Sequence, residues 1–221
     1  MKAMIFLLLL CVMAPSHAQE NPLPDAPTPQ VEAKQKRRFS FIPVASSSSD
    51  APLSTSQKFL LFADNSTNPF QIVAAGAKAG VSQARDKFPA YGQGAEGYGK
   101  RFGAALADQT SMEFFGTFVF PSVLRTDPRY FRKETGSASS RTLYSITRVF
   151  VTRNDHRRPV PNAALWMGAI AAGGLSNAYY PDEQRGVGLV FSRAGIVIGT
   201  RAGFNVVKEF WPDIWRTLKK R

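Results

Sequence analysis

Small residues recur every fourth position in four separate stretches of this chain, and that spacing limits the fold more than any other feature. The rows are Ala75/Gly76 with Ala79/Gly80, then Gly99, Gly103, Ala107 and Ser111, then Ala164, Gly168, Ala172 and Ser176, and finally Gly195, Gly199 and Gly203. Residues four apart lie on one face of an α-helix. A face of glycine, alanine and serine lets a second backbone approach closely. The pattern predicts an all-α bundle of four or five glycine/alanine-rich helices with a disordered N-terminal tail. Gly99, Gly103, Gly168, Gly195, Gly199 and Gly203 are the expected helix-packing positions.

Met1 to Ala18 has the form of a secretory signal: Lys2, an apolar run, and Ser16-His17-Ala18 before the expected cleavage at Gln19. The sole cysteine, Cys11, falls within it, so the exported chain is expected to carry no disulfide and no thiolate chemistry. Residues 19–56 read as a disordered Pro/Ser-rich tether, too poor in apolar residues to offset the entropy of ordering, with the short run Phe39 to Val44 as its one apolar segment. Residues 57–221 are then a helical, membrane-associated domain. Pro69 to Arg221 holds 22 basic and 11 acidic residues, whereas Gln19 to Asn68 holds five of each. Such an excess favours an anionic partner. After export that partner is expected to be anionic lipid or an envelope polyanion and not nucleic acid, with a merely solvated basic surface as the competing reading.

Helices are predicted over 69–87, with Asn68 as cap and Pro69 in the first turn, over 95–120, over 141–153 and over 186–210. The stretch 159–181 is uncharged and near spanning length, with Trp166 at one end and Tyr179-Tyr180 at the other. It reads as a membrane hairpin arm or as the central helix of a tight bundle. In 141–153 the residues Arg141, Ser145, Arg148 and Thr152 form a cationic stripe opposite Leu143, Ile146, Val149 and Phe150. That helix either lies in a headgroup layer or covers the core with its arginines in water, the second being favoured. A strand over 148–152 is the alternative, since Val, Phe and Thr also suit strands. An outer-membrane barrel would need several alternating segments of about ten residues, which are not present.

Several motifs come close to known chemistry and lack its context. Gly94, Gly99 and Lys100 fit the spacing of a phosphate-binding loop, but Arg101 stands where a magnesium-binding hydroxyl is needed. Gly92, Gly94 and Gly97 spell the dinucleotide pattern without a preceding strand. Ser176 sits in a near-match to a nucleophile elbow, again without the strand that device requires. No nucleotide, metal or other cofactor is therefore expected, and no catalytic residue is assigned. His156 is the one histidine of the exported chain, beside Asp155, Arg153, Arg157 and Arg158. An envelope enzyme acting on lipid or phosphate through His156 and these arginines is the alternative to a structural or membrane-interacting role.

Asp108 and Glu113 lie within the long apolar helix and need partners there. Arg193 and Arg201 of the last helix are the candidates. Arg129, Arg132, Arg141, Arg148, Arg157 and Arg158 are candidate contacts for lipid headgroups or other anions, several of them interleaved with aromatics as at a membrane interface. Homo-oligomerisation through the small-residue faces is also expected.

Three segments carry a resemblance: GQGAEGYGKRFG at 92–103, PSVLRTDPRYFR at 121–132 and KEFWPDI at 208–214. The chain resembles a group of exported bacterial proteins of similar length to which no biochemical activity is attached. The resemblance covers most of the chain after Ser56, implies a single recurrent domain and carries over no catalytic residue or cofactor. The location expected is the periplasm or cell envelope, in association with a membrane.

Overall fold

The computed structural model describes residues 51–219. The expected signal sequence at 1–18, and the expected tether at 19–56 as far as residue 50, lie outside the described residues. The first helix, α1 (Thr55–Ser66), begins inside the segment expected to be tether. Its start is a capping box: Ser54 Oγ accepts from the Gln57 N–H at 3.2 Å, and Gln57 Oε1 accepts from the Ser54 N–H at 2.9 Å. Next, α2 (Pro69–Ala84) starts as its sequence requires, with Asn68 Oδ1 accepting from the Phe70 N–H at 2.9 Å and Pro69 in the first turn.

A tight loop then leads into α3 (Gly94–Glu113), which continues without a break through a π-helical turn over Phe114–Val119 into α4 (Phe120–Val123). The reason for that extra-wide turn lies across from it. The backbone of Gly116 meets α6 (Ala163–Ser176) at Gly168, where an added Cβ would stand 2.7 Å from the Gly116 Cα. All four residues of the Ala164, Gly168, Ala172, Ser176 row are buried, as the four-residue spacing requires.

Two features depart from an all-α chain. The helix expected over 141–153 is only α5 (Ala138–Thr147), and the residues after it form β2 (Val151–Asn154). β2 is the centre of a small antiparallel sheet, pairing Asp127 of β1 (Thr126–Asp127) with Arg153, and Val160 of β3 (Pro159–Pro161) with Thr152. Pro159 and Pro161 hold β3 at the edge, because neither can donate to a further strand. The fold is thus mostly helical with a three-stranded sheet inserted between α4 and α6. The last helix, α7 (Val187–Lys219), runs past its expected end and through Pro212. Among the described residues it is the one helix long and apolar enough, by length and composition, to cross a membrane.

The centre of the bundle is thin. Its apolar cluster comprises Met112, Val149, Leu165, Ala169, Ala172, Ala194 and Ile198, so nearly half of it is alanine. The glycine faces do not supply the rest. Around Gly99, Gly103, Gly195, Gly199 and Gly203 nothing lies within 4 Å of where a Cβ would stand; of the six expected packing glycines only Gly168 packs. The buried row of α7 is Val190, Ala194, Ile198, Asn205 and Glu209, set about 100° around the helix from the glycines. Residue spacing defines a face but not the direction in which it points.

The two kinds of glycine should respond oppositely to the same methyl group. Gly168→Ala forces one backbone off another and should lower stability by about 1–3 kcal/mol. Gly199→Ala adds its methyl in open space and should raise stability by about 0.5–1 kcal/mol. Thermal unfolding followed by circular dichroism in mild detergent measures both; equal losses would contradict this packing.

Candidate functional site

The two largest fully buried side chains among the described residues, Lys58 and Glu209, are charged. Glu209 on α7 is 0% exposed. Its carboxylate accepts from Arg141 Nε at 2.9 Å, from the Tyr130 hydroxyl at 2.9 Å, and from the backbone N–H groups of Lys133 and Glu134 at 3.0 Å each. One turn on, Pro212 interrupts the helical hydrogen-bond ladder. The Glu209 carbonyl accepts from Arg132 Nη2 at 2.7 Å and Arg141 Nη2 at 2.9 Å, and both arginines also reach Asp213. Burial pushes the Glu209 carboxyl up, but Arg141 and the two N–H donors, with Tyr130, outweigh it and hold the group below its ordinary range. Asp213 is held low chiefly by its hydrogen bonds from Arg141 and Arg132.

A second clasp replaces the phosphate loop suggested by the glycines. Arg101, 3% exposed, donates to the carbonyls of Lys87, Phe88 and Gly92 and to Gln83 Oε1 at distances of 2.6–3.1 Å. Loop carbonyls converge here on an arginine, where a phosphate site would direct N–H groups inward. A third buried cation, Lys58 of α1, donates to the Pro121 carbonyl at 3.1 Å and to Asp155 at 3.2 Å. That draws Asp155 away from His156, which sits exposed in the β2–β3 turn with its backbone N–H on Asn154 Oδ1.

The residues expected to meet headgroups have mostly been drawn inward. Arg129 pairs with Asp127 at 2.6 Å, and Arg132 and Arg141 close on the Glu209 and Asp213 site. Arg148 stacks on the Tyr144 ring at 4.4 Å with its Nε buried and unpartnered. Only Arg157 and Arg158 remain exposed, in the β2–β3 turn. Helix α5 is therefore turned from the favoured reading: Arg141 and Ser145 face the interior and Leu143 and Ile146 are exposed, as is Phe150 beyond the helix, while Val149 of the same apolar set does pack in the core. Desolvating an arginine requires a carboxylate opposite it, and Glu209 supplies one.

Of the expected ion pairs, Arg201 with Glu113 is present at 3.0 Å. The Glu113 carboxylate also accepts from Thr117 Oγ1 at 2.6 Å and Asn65 Nδ2 at 2.8 Å. Burial raises its pKa, yet Arg201 and these two donors overcome that and hold it low. Asp108 and Arg193 are not paired. Asp108 accepts from the hydroxyls of Tyr179 and Tyr180 at 2.8 Å each and from Lys78 at 3.1 Å. Arg193 lies over the Tyr180 ring at 4.2 Å and donates to Ser176 Oγ at 2.6 Å. Ser176 is thus a buried packing residue held by its neighbours.

Two cavities flank the Arg201–Glu113 pair. The larger, about 460 Å³, lies between α2, α3 and α7, with Phe70, Ala74, Met112, Ile196 and Phe204 among its walls. The smaller, about 60 Å³, lies under the sheet beside Arg129, Arg148 and Arg153. Arg201 and Lys208 line both. Burial and the proximity of Arg201, opposed by Glu113, push the Lys208 ammonium down to about 8. Lys208, Glu209 and Asp213 were not recognised as site residues from residue spacing, although all three lie in the KEFWPDI segment. The signal was present: Glu and Asp four apart bracketing a proline supply acceptors on one helix face at the point where the ladder opens.

The chain matches no protein-family model, no curated protein and no solved structure.

Removing the central charge tests this arrangement. Glu209→Gln takes from Arg141 its buried counter-ion and should cost about 3 kcal/mol. The pH dependence follows from the direction of the shifts. Glu209 and Asp213 titrate lower when folded than unfolded, so their contribution is complete above the unfolded carboxyl values near 4 and is lost as pH falls through the folded ones. Urea unfolding from pH 7 downward should show stability declining below about pH 5 in the native protein and a shallower decline in Glu209→Gln. Parallel curves would contradict the role given to Glu209.

Proposed function

We propose that this protein is an exported component of the bacterial cell envelope whose bundle is seated in a membrane interface, in a structural or membrane-interacting role. The observation that carries the reading is the inverted distribution of side chains. Lys58, Arg101, Glu113, Asp127 and Glu209 are buried, while Leu60, Val73, Phe150, Phe191, Ile196, Ile214 and Trp215 are exposed. In water each exposed apolar side chain forgoes about 25 cal/mol for every Å² left unburied. Against hydrocarbon that loss disappears, and charged groups must instead find partners inside the protein.

Three further features agree with this. Apolar exposure is spread over α1, α2, α5, α6 and α7 and is not confined to one patch the size of a partner's footprint. Trp166 and Trp215 are exposed near helix ends, and basic residues follow the second, a combination favoured at headgroup depth. α2 and α6, with 16 and 14 residues, reach only about 24 and 21 Å, short of the roughly 30 Å of a hydrocarbon core. Among the described residues α7, with 33 residues, is the one helix long and apolar enough to cross; in this reading the short helices stay at interfacial depth and the basic excess faces anionic headgroups. The open face of Gly195, Gly199 and Gly203 is the place for a second copy in the same layer. The alternative enzyme reading is weaker, because His156 is exposed and Asp155 is engaged by Lys58.

Fractionation of envelopes tests the reading. The protein should stay with membranes through washes in high salt and in alkaline carbonate and be released by detergent. Release by salt alone would mean a soluble bundle held by charge, and recovery without membranes would overturn the proposal.

A further inference from the structure

The cavity between α2, α3 and α7 has the two-part chemistry of an amphiphile site. Its volume, about 460 Å³, falls within the range of small-molecule sites. Phe70, Ala74, Met112, Ile196, Val197 and Phe204 give it apolar walls, and Arg201, Lys208, Glu113 and Gln109 collect along its polar side. The bookkeeping of those polar groups is uneven. Glu113 is fully engaged by Arg201, Thr117 and Asn65, and Arg201 in turn is committed to Glu113. Lys208 has no hydrogen-bond or ion-pair partner among the described residues, although its stem is packed among them. Gln109 Oε1 is buried in the same lining and has no donor. Across the whole lining three cations, Lys78, Arg201 and Lys208, face two carboxylates, Asp108 and Glu113.

We propose that this cavity binds one amphiphile, a single acyl chain bearing an anionic head, with the head on Lys208 and Arg201 and the chain along Phe70, Met112, Ile196 and Phe204. A carboxylate or phosphate there supplies the missing counter-charge in a poorly hydrated place, where a charge-assisted hydrogen bond is strongest. The smaller cavity does not compete for the chain: at about 60 Å³ it has room for little more than water. A free fatty acid and a lysophospholipid share this chemistry. The inference rests on the membrane reading only for the source of the amphiphile.

The test is a titration of the purified full-length protein with cis-parinaric acid, a fluorescent fatty acid, followed by competition with palmitate, palmitoyl lysophosphatidylglycerol and hexadecanol. One saturable site per chain is expected. Lys208→Gln should weaken palmitate about tenfold and leave hexadecanol unchanged, because only the head contact is lost. Ala74→Trp should fill the cavity and abolish binding of all three; Thr200→Trp, from the opposite wall, repeats that test should the first variant not fold. Stronger competition by palmitate identifies the source as a fatty acid, and stronger competition by the lysophospholipid identifies a membrane lipid with a glycerol hydroxyl. Absence of saturable binding to the native protein, or unaltered binding in folded Lys208→Gln and tryptophan variants, overturns the proposal. A salt-released protein can still bind one chain and a detergent-released one can fail to, so this titration and the fractionation fail separately.

Discussion

A carboxylate with no access to solvent must be met on every side, and Glu209 sets that requirement at the junction of three parts of the chain. Its partners come from residues 130–134 and from α5, up to 79 residues away in sequence. These contacts tie α5 and the 130–134 segment to α7 just before Pro212. Arg101 does the same for the loop between α2 and α3, and Lys58 for α1. The apolar core, rich in alanine, could not specify these contacts: alanine offers little area and no direction.

The three segments singled out in the sequence at 92–103, 121–132 and 208–214 each contribute to these clasps. Arg101 belongs to GQGAEGYGKRFG, Tyr130 and Arg132 to PSVLRTDPRYFR, and Glu209 and Asp213 to KEFWPDI. The last two segments meet each other directly through Arg132 and Asp213 at 3.2 Å. Each of these motifs thus has a place in the architecture.

How much was legible follows from which forces are local. The Asn68-Pro69 start of α2 and the buried row from Ala164 to Ser176 depend on neighbours within one or two helical turns, and both were readable. So was the need of Glu113 for an arginine, because a carboxylate in an apolar run has few solutions; Arg201 supplied the answer, whereas Asp108 found tyrosine hydroxyls that no charge rule would nominate. The capping box at Ser54 and Gln57 was equally local, but the proline-rich composition around it pointed to a tether. The inward turn of Arg141 was not readable. The expectation that arginines face water presupposes water outside, and α5 with Leu143 and Ile146 exposed is the reverse of that arrangement. The open glycines of α7 fall in the same class, since spacing could not say whether their partner lies within the chain or beyond it.

The membrane proposal rests on paired charges buried in the bundle together with leucine, isoleucine, phenylalanine and tryptophan side chains exposed on it. The cavity beside Arg201 and Lys208 joins apolar walls to cationic side chains in the same lining. The most direct measurement is quenching of the intrinsic tryptophan fluorescence in liposomes whose acyl chains carry bromine, since Trp166 and Trp215 both lie on the exposed surface. The account predicts strong quenching by the brominated lipid and weak quenching by aqueous iodide. Fluorescence untouched by bromine and freely quenched by iodide would contradict it.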